Sequence, residues 1–281
     1  MKALAQFAMG GRLRALALAV AASGSLLFCW IGAAIIALTT LRLGPRDGTW
    51  LLMWAALPAL VMVQIAGEVT PLALLLGTYL LALVLRLSVS LALAVLASAV
   101  VGVLTGIGLL AFADALLQQL VGVFADFLAS VQQAAQNTEG NAAVLALQPP
   151  AAAQLAGVLG AGNAVLAVLC LCLARYWQAA LYNPGGFGAE FRTLRLPRSA
   201  AVALGMVALA LAWSGVMLRS WAAILLVPLT VHGFAVLHAR AKLAGRGRGW
   251  AKRIRAQRKL LDDETAAIVG DLLRKSAPNT R

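Results

Sequence analysis

The chain contains apolar stretches that are too long for a soluble fold. Residues 72–112 form about 40 mostly apolar residues, interrupted only by Arg86. A hydrocarbon core about 30 Å thick takes about 20 helical residues, so this stretch predicts two membrane-spanning helices that meet near Arg86. The composition agrees, because 62% of the residues are hydrophobic and only 12% are charged, whereas soluble domains carry about 25% charged residues.

Apolar runs elsewhere predict further spans, at residues 50–66, 151–174, 199–218 and 222–239. The first 41 residues leave three alternatives open: a hairpin of two spans (3–22 and 26–41) that turns at Ser23-Gly24-Ser25, one long span, or a signal peptide cleaved near Ala19-Val20-Ala21. With the hairpin, the sequence predicts an all-α polytopic transmembrane helix bundle of about eight spans. With a single span the bundle has seven.

The distribution of basic residues predicts the orientation of this bundle. Residues 113–153 contain three acids and no Lys or Arg, whereas the connector 175–198 contains four Arg against one acid, Glu190. Cytoplasmic loops are enriched in Lys and Arg, so we expect the connector inside the cell and residues 113–153 outside. Alternation of spans then places both termini in the cytoplasm of a bacterium, with the bundle in the inner membrane. Under the hairpin, Arg12 and Arg14 fall within the first helix, which must be shallow, tilted or shielded.

We assign the predicted bundle to residues 1–240, which include the outer region 113–153, and a polar tail follows. Within the outer region, a four-and-three spacing of apolar residues predicts an amphipathic helix on the membrane surface or over the bundle. The tail, 241–281, belongs to a segment from Arg240 onwards that holds 12 of the 23 Lys and Arg. We interpret the tail as a cytoplasmic anchor, amphipathic or partly disordered, that meets anionic lipid rather than a specific nucleic acid. The predicted outer helix presents Phe112, Leu116, Leu120, Val123, Phe127 and Val131.

Small residues recur every four positions along one predicted span. Side chains of this size at this spacing form a groove in which another helix can approach closely. We predict tight packing within the bundle, and the alternative is a moving interface or a path for a substrate. The five residues are Ser90, Ala94, Ser98, Gly102 and Gly106.

Polar residues within the spans are candidates for substrate contact. His232 lies mid-span, four residues after Pro228, and a proline leaves one helical carbonyl without its hydrogen bond. Asn163 and Gln64 are further polar groups within predicted spans, and Arg86 lies at a predicted turn. Such groups are costly in a bilayer and often functional. The alternatives are hydrogen bonds to a neighbouring helix for the first three, and an interfacial position for Arg86.

The connector carries a turn signal followed by basic residues. Asn183-Pro184-Gly185-Gly186 is typical of a tight turn. A short helix predicted over residues 189–196 would place Arg192 and Arg195 on one face. These two side chains could hold lipid phosphates or an acidic cytoplasmic partner, and the alternative is a simple interfacial anchor.

No pattern in the sequence indicates an enzyme. The cysteines Cys29, Cys170 and Cys172 all lie in apolar runs, where they are typical small buried residues. There is no pair of intramembrane acids, no His/Cys/Asp cluster with metal-ligand spacing and no phosphate-binding loop. We therefore predict no catalytic residues, no metal and no cofactor.

The connector, YWQAALYNPGGFGAEFRTLRLP, and the last span, SWAAILLVPLTVHGFAVLHARAK, resemble the proteobacterial branch of the YybS-like family of multi-span membrane proteins. That family is uncharacterised and distantly similar to the substrate-binding components of energy-coupling-factor vitamin transporters. The likeness covers about residues 1–250 and implies no particular substrate. Beyond Trp250 the family continues with a further span, whereas this chain continues with a polar segment, which is either a surface helix or a truncated end.

Two hypotheses of function follow from these observations. The first is a transport component that binds a small solute within the bundle and depends on a separate energising protein, since no ATP-binding motif is present. The second is a non-transporting membrane scaffold that recruits cytoplasmic partners or anionic lipid through its connector and tail.

Overall fold

A computed structural model describes residues 2–136 and 146–244, together with Lys259, Asp263 and Thr265. Within these residues all regular secondary structure is helical. The chain divides into two compact units, residues 1–233 and 234–281. The helices are α1 (Lys2–Met9), α2 (Arg12–Ser23), α3 (Cys29–Arg42), α4 (Pro45–Ala66), α5 (Thr70–Ser88), α6 (Leu91–Phe112), α7 (Asp114–Gln136), α8 (Ala152–Tyr182), α9 (Gly186–Thr193), α10 (Arg198–Trp213) and α11 (Val216–Leu243).

Six of these helices are long and apolar enough to cross a membrane: α4, α5, α6, α7, α8 and α11. The pair α9 and α10, bent by 68°, makes a seventh if it forms one broken span. The all-helical class predicted from the sequence is therefore confirmed, with six or seven helices apolar enough to span a membrane. The described helices differ from the predicted eight spans at the N-terminal region, at α7 and at the last connection, where α10 ends at Trp213 and α11 begins at Val216 rather than at the predicted residues 218 and 222.

The N-terminal region forms three short helices. Glycines at positions 10 and 11 interrupt the first predicted span, because glycine is a poor helix former, and α1 and α2 result. The helix α2 ends at Ser23, at the predicted turn, and α3 packs closely against it: a Cβ built at Gly32 would lie 3.1 Å from the carbonyl oxygen of Ala19. With 14 residues, α3 covers about 21 Å, less than the hydrocarbon core.

The connection between α5 and α6 lies three residues later than predicted. Arg86 is in the last turn of α5 rather than at the turn itself. The turn occurs at Val89, whose φ of 52° is left-handed, a conformation that β-branched residues rarely adopt. Ser90 then begins α6, since its side chain accepts a hydrogen bond from the backbone N–H of Leu93 at 3.3 Å.

A glycine-lined face of α6 packs against α8 and α11. A Cβ built at Gly102 would lie 2.5 Å from Ile224 Cγ2 and 3.0 Å from the carbonyl oxygen of Gly160. One turn further, a Cβ at Gly106 would lie 2.9 Å from the ring of Trp221. No side chain larger than hydrogen fits at these crossings without displacing a neighbour, so α6 and α8 meet at backbone distance, and the side chains of Ile224 and Trp221 from α11 pack against the glycines.

The helix α7 packs through its beginning. Leu117 is fully buried in a cluster with Leu109 and Leu155, which α6 and α8 contribute. Towards the C-terminal half, Val123 and Phe127 are 59% and 61% exposed. A helix therefore exists where the outer helix was predicted, with bounds 114–136, and it is also long and apolar enough to count as a candidate span. The predicted end at residues 137–140 lies outside the described residues.

Three long-range contacts bring basic residues together at one end of residues 1–233. Arg12 forms an ion pair with Asp47 at the start of α4, and Arg86 Nη1 donates a 2.6 Å hydrogen bond to the carbonyl of Leu41. Arg42 lies 4.1 Å above the ring of Tyr182, where α8 meets the connector. The N-terminal helices, the α3–α4 and α5–α6 connections and the connector thus share one end, as an N-terminal hairpin requires.

The second unit, 234–281, is described only as far as Ala244 and at three further residues. It contains the end of α11, where His238 Nδ1 and the carbonyl of Phe234 are 2.8 Å apart. The predicted amphipathic or disordered tail otherwise lies outside the described residues.

Candidate functional site: paired cavities beside Asn163

Two adjoining cavities open among α5, α6 and α8. The α5–α6 cavity has a volume of about 310 Å³ and the α5–α8 cavity about 250 Å³. We call them the paired cavities, because they share the wall residues Val69, Ala73, Thr105 and Leu109. Their combined size suits one small molecule, since ligand pockets commonly measure about 300–1,000 Å³.

The walls of the paired cavities are apolar and carry no ionisable side chain. The α5–α6 cavity opens beside Leu76, Leu104 and Phe112, which are 44%, 55% and 89% exposed. All three belong to helices that are long and apolar enough to cross a membrane. The opening therefore lies on an apolar surface of helices that are candidates for crossing a bilayer.

Asn163 lines the α5–α8 cavity together with the hydroxyl-bearing Thr70 and Thr105, and Asn163 is only 5% exposed. Its Nδ2 donates to Thr105 Oγ1 at 2.8 Å and to the carbonyl of Ala73 at 3.4 Å. Asn163 therefore links α8 to both α5 and α6. Gly77 leaves room for this amide, since a Cβ at that position would lie 3.3 Å from Asn163 Nδ2.

The hydrogen-bond pattern fixes the orientation of the Asn163 amide. The carbonyl of Ala73 can only accept, and Thr105 Oγ1 donates its own proton to the carbonyl of Val101 at 2.8 Å. Both partners therefore require the NH₂ group of Asn163, and Oδ1 remains as an acceptor. Among the described residues, no donor reaches this buried Oδ1. An unsatisfied buried acceptor costs about 1–3 kcal/mol, so Oδ1 would gain from a donor supplied from outside the chain. Because less than 1 Å² of Oδ1 is accessible, such a donor reaches it only when the Asn163 side chain turns towards the cavity.

Other predicted intramembrane candidates do not join this site. Pro228 is buried in α11, and His232 Nδ1 is buried with no hydrogen-bond partner among the described residues. The proline frees the carbonyl of Ile224, four residues earlier. This carbonyl lies eight residues, about 12 Å along the axis, from His232, and the role of His232 in contacting a substrate stays a prediction.

Gln64 and Arg86 lie near helix ends. Gln64 is exposed in the last turn of α4, two residues before its end, and does not line either of the paired cavities. Arg86 is exposed and donates to the carbonyl of Leu41, one of the carbonyls that the end of α3 leaves unpaired.

The predicted small-residue groove lies on the same helix as part of the cavity wall. Ala94, Ser98, Gly102 and Gly106 are buried, and Ser90 caps α6. The two glycines of this groove contact α8 and α11. The wall residues Leu104, Thr105 and Gly108 lie on neighbouring faces of α6.

The connector begins with the predicted turn but its helix differs from the prediction. Gly185 has a φ of 88°, a conformation that favours glycine, and α9 follows over residues 186–193 rather than 189–196. Pro197 disfavours a helical conformation at residue 196, so the chain is extended before it. Arg195 therefore lies beyond α9, and the predicted shared helical face of Arg192 and Arg195 is wrong.

Charge in the connector is unevenly paired. Glu190, its one acid, forms an ion pair with Arg175, and Arg175 also donates to Gln178 Oε1 at 2.5 Å. No described acid pairs with Arg192, Arg195 or Arg198.

A third cavity, of about 250 Å³, lies at the basic end between α2, α3 and α4. Its polar wall is the ion pair of Arg12 and Asp47, so its own charges are already matched. The arrangement explains how Arg12 is tolerated within the N-terminal helices.

Sequence reasoning identified Asn163 and missed its partners. Thr105, Gly77 and Gly162 have no individual signal, because threonine and glycine are common in membrane helices. The one available signal is that Thr105 is a polar residue within a very apolar span. Across residues 2–136 and 146–244, no three His, Cys, Asp or Glu side chains are close enough to hold a metal ion.

Comparison of the chain with protein-family models, curated proteins and solved structures finds no match.

Proposed function

We propose that this protein is a multi-span membrane protein that binds a small solute inside its helix bundle, as the binding component of a transport system. The observation that carries the proposal is the buried acceptor Asn163 Oδ1 beside the paired cavities. A purely structural amide in an apolar bundle would be expected to satisfy both its donor and its acceptor within the protein.

We further propose eight spans with both termini in the cytoplasm of a bacterial inner membrane. The contacts of Arg12, Arg42 and Arg86 with neighbouring helix ends support a common basic end. The absence of Lys and Arg from residues 113–153 supports an outer position for that region. In this arrangement α2 and α3 form a short hairpin, and α7 lies on the outer side.

Energy for transport would come from another chain, because no ATP-binding motif occurs in the sequence. The resemblance to the YybS-like family, and through it to energy-coupling-factor components, agrees with this division of labour. No catalytic residue is assigned, and we propose no enzymatic activity.

The test is purification in mild detergent followed by native mass spectrometry of the full chain. We expect a bound small molecule, released on denaturation, or a co-purifying ATPase. The Asn163→Leu variant should lose the small molecule, while Gln64→Leu, at an exposed position outside the cavities, should retain it. A wild-type protein that purifies without ligand and without partner, and moves no solute after reconstitution, would contradict the proposal.

A second candidate function is a scaffold that recruits an acidic cytoplasmic protein or anionic lipid. It is favoured by the pairing of Glu190 with Arg175, which leaves the charges of Arg192 and Arg195 available. Loss of a co-purifying soluble protein in the double variant Arg192→Ala plus Arg195→Ala, but not in Arg46→Ala, would support it. Equal recovery of that soluble protein with the wild type, the double variant and Arg46→Ala would contradict the scaffold function.

A further inference from the structure

The paired cavities contain enough chemistry to define a class of ligand. We infer that they bind a neutral molecule with an apolar body and one hydrogen-bond donor, a hydroxyl or an N–H, that pairs with Asn163 Oδ1. The inference deepens the proposed function, because it names the ligand class for the same site.

The neutral charge follows from the walls. None of the residues that line either cavity is ionisable, and the shared residues are Val69, Ala73, Thr105 and Leu109. An ion would lose its hydration without gaining a partner of opposite charge, which makes burial very unfavourable. A charged solute is therefore a poor occupant.

The apolar body follows from the same walls and their position. The α5–α6 cavity is lined mainly by Leu, Val, Ala and Gly, with Thr105 as its polar exception. The hydroxyl of Thr105 donates to Val101 and accepts from Asn163, so it has one lone pair left and no proton to donate. A ligand with several polar groups would find too few partners there, whereas a hydrocarbon chain would replace lipid contacts at little cost.

The single donor follows from Asn163. Its NH₂ group is directed to Ala73 and Thr105, so the amide has an acceptor and no further donor for a partner. A hydroxyl or N–H fits this acceptor, while an ether, ester or ketone of the same shape does not. Long-chain alcohols are the simplest molecules with all three properties.

The experiment uses the full-length protein in lipid nanodiscs and a ten-carbon alcohol that carries a photoreactive diazirine. Its methyl ether is the matched probe, because the ether keeps the oxygen and lacks the donor. We expect labelling of α5, α6 and α8, located by peptide mass spectrometry. When the plain alcohol or its methyl ether competes with the photoreactive alcohol, the plain alcohol should reduce labelling at a concentration about threefold to tenfold lower than the ether. That ratio is the range for one net hydrogen bond.

Two variants locate the site. Asn163→Leu should remove the difference between alcohol and ether. Gly162→Leu should block labelling by filling the α5–α8 cavity, because a Cβ at Gly162 meets no atom within 4 Å and the position lines that cavity. Gly205→Leu in α10 is the control, since a Cβ there also meets no atom within 4 Å.

Each outcome separates the ligand class from the transport function. Equal competition by alcohol and ether in the wild type would overturn the donor, and labelling unaffected by Gly162→Leu would overturn the site. Recovery of a polar or charged solute from the purified protein would overturn the ligand class and leave transport intact. Labelling that depends on Asn163, in a protein without flux or partner, would support the ligand class and contradict transport.

Discussion

The side-chain amide of Asn163 connects α5, α6 and α8 through its hydrogen bonds. Substitutions that remove one hydrogen-bonding group at a time can therefore test the site. Its NH₂ group donates to the carbonyl of Ala73 and to Thr105 Oγ1, and Thr105 can only accept from it because Thr105 donates its own proton to Val101. Removing either partner should therefore disturb the fold by a modest amount, while the acceptor Oδ1 should affect ligand binding more than stability.

Thr105→Val keeps the shape of the side chain and removes the acceptor for Asn163. We expect the free energy of unfolding to fall by about 0.5–1.5 kcal/mol, the range for interhelical hydrogen bonds in membranes. Unfolding by dodecyl sulfate in mixed micelles measures this change. Thr230→Val is the matched control, because Thr230 also donates to a carbonyl four residues earlier and is exposed. An equal loss in both variants would mean that the Asn163 contact contributes nothing.

Gly102→Ala tests the close crossing of α6 with α8 and α11. Its new methyl group would lie 2.5 Å from Ile224 Cγ2 and 3.0 Å from a backbone oxygen, so the free energy of unfolding should fall by about 1–3 kcal/mol. Gly108→Ala on the same helix meets no atom within 4 Å, and its higher helix propensity should leave stability unchanged or raised by up to about 1 kcal/mol. The same unfolding assay applies, and similar values for the two variants would refute the close crossing.

At the scale of elements, local signals in the sequence predicted helices better than their ends. The run from residue 72 to 112 predicts α5 and α6 but puts the turn at the basic residue Arg86, whereas the structure has it at Val89. A valine with positive φ has no sequence signal, since β-branched residues rarely adopt this conformation. In the same way, the sequence identifies Asn163 as a polar residue within an apolar span. It does not identify the partners Thr105 and Ala73, because the crossing of three helices decides which groups Asn163 contacts.

Glu190→Gln tests whether the connector is held by its ion pair with Arg175. Both side chains are about one-quarter exposed, so the pair should stabilise α9 locally and contribute little to the whole bundle. We expect trypsin to cleave at Arg192 about twofold to tenfold faster in the variant, because local opening exposes the backbone more often. Glu68→Gln, on the α4–α5 connection, is the control and should leave the rate of cleavage at Arg192 unchanged. An unchanged cleavage rate in Glu190→Gln would show that the ion pair does not restrain α9.

At the scale of the whole molecule, the basic end described above predicts a pattern of accessibility. In a background with the three cysteines replaced by Ala, single cysteines at Arg46 and Thr193 should resist a membrane-impermeant maleimide added to intact cells. A cysteine at Gln133, in the predicted outer region, should react. Arg46, Thr193 and Gln133 are all exposed in the structure, so burial does not account for the difference. Reaction at Arg46 and Thr193, with Gln133 protected, would invert the proposed topology.

The sideways opening of the α5–α6 cavity alters how affinity must be interpreted. A solute that enters from the hydrocarbon meets the protein at its concentration in the membrane, and each methylene group favours that phase by about 0.8 kcal/mol. Two added methylenes therefore raise the local concentration by more than tenfold without any new contact. Dissociation constants calculated from the concentration in water would decrease as the ligand chain lengthens, even when the added methylene groups lie outside the cavity. Partition coefficients therefore have to be measured alongside binding.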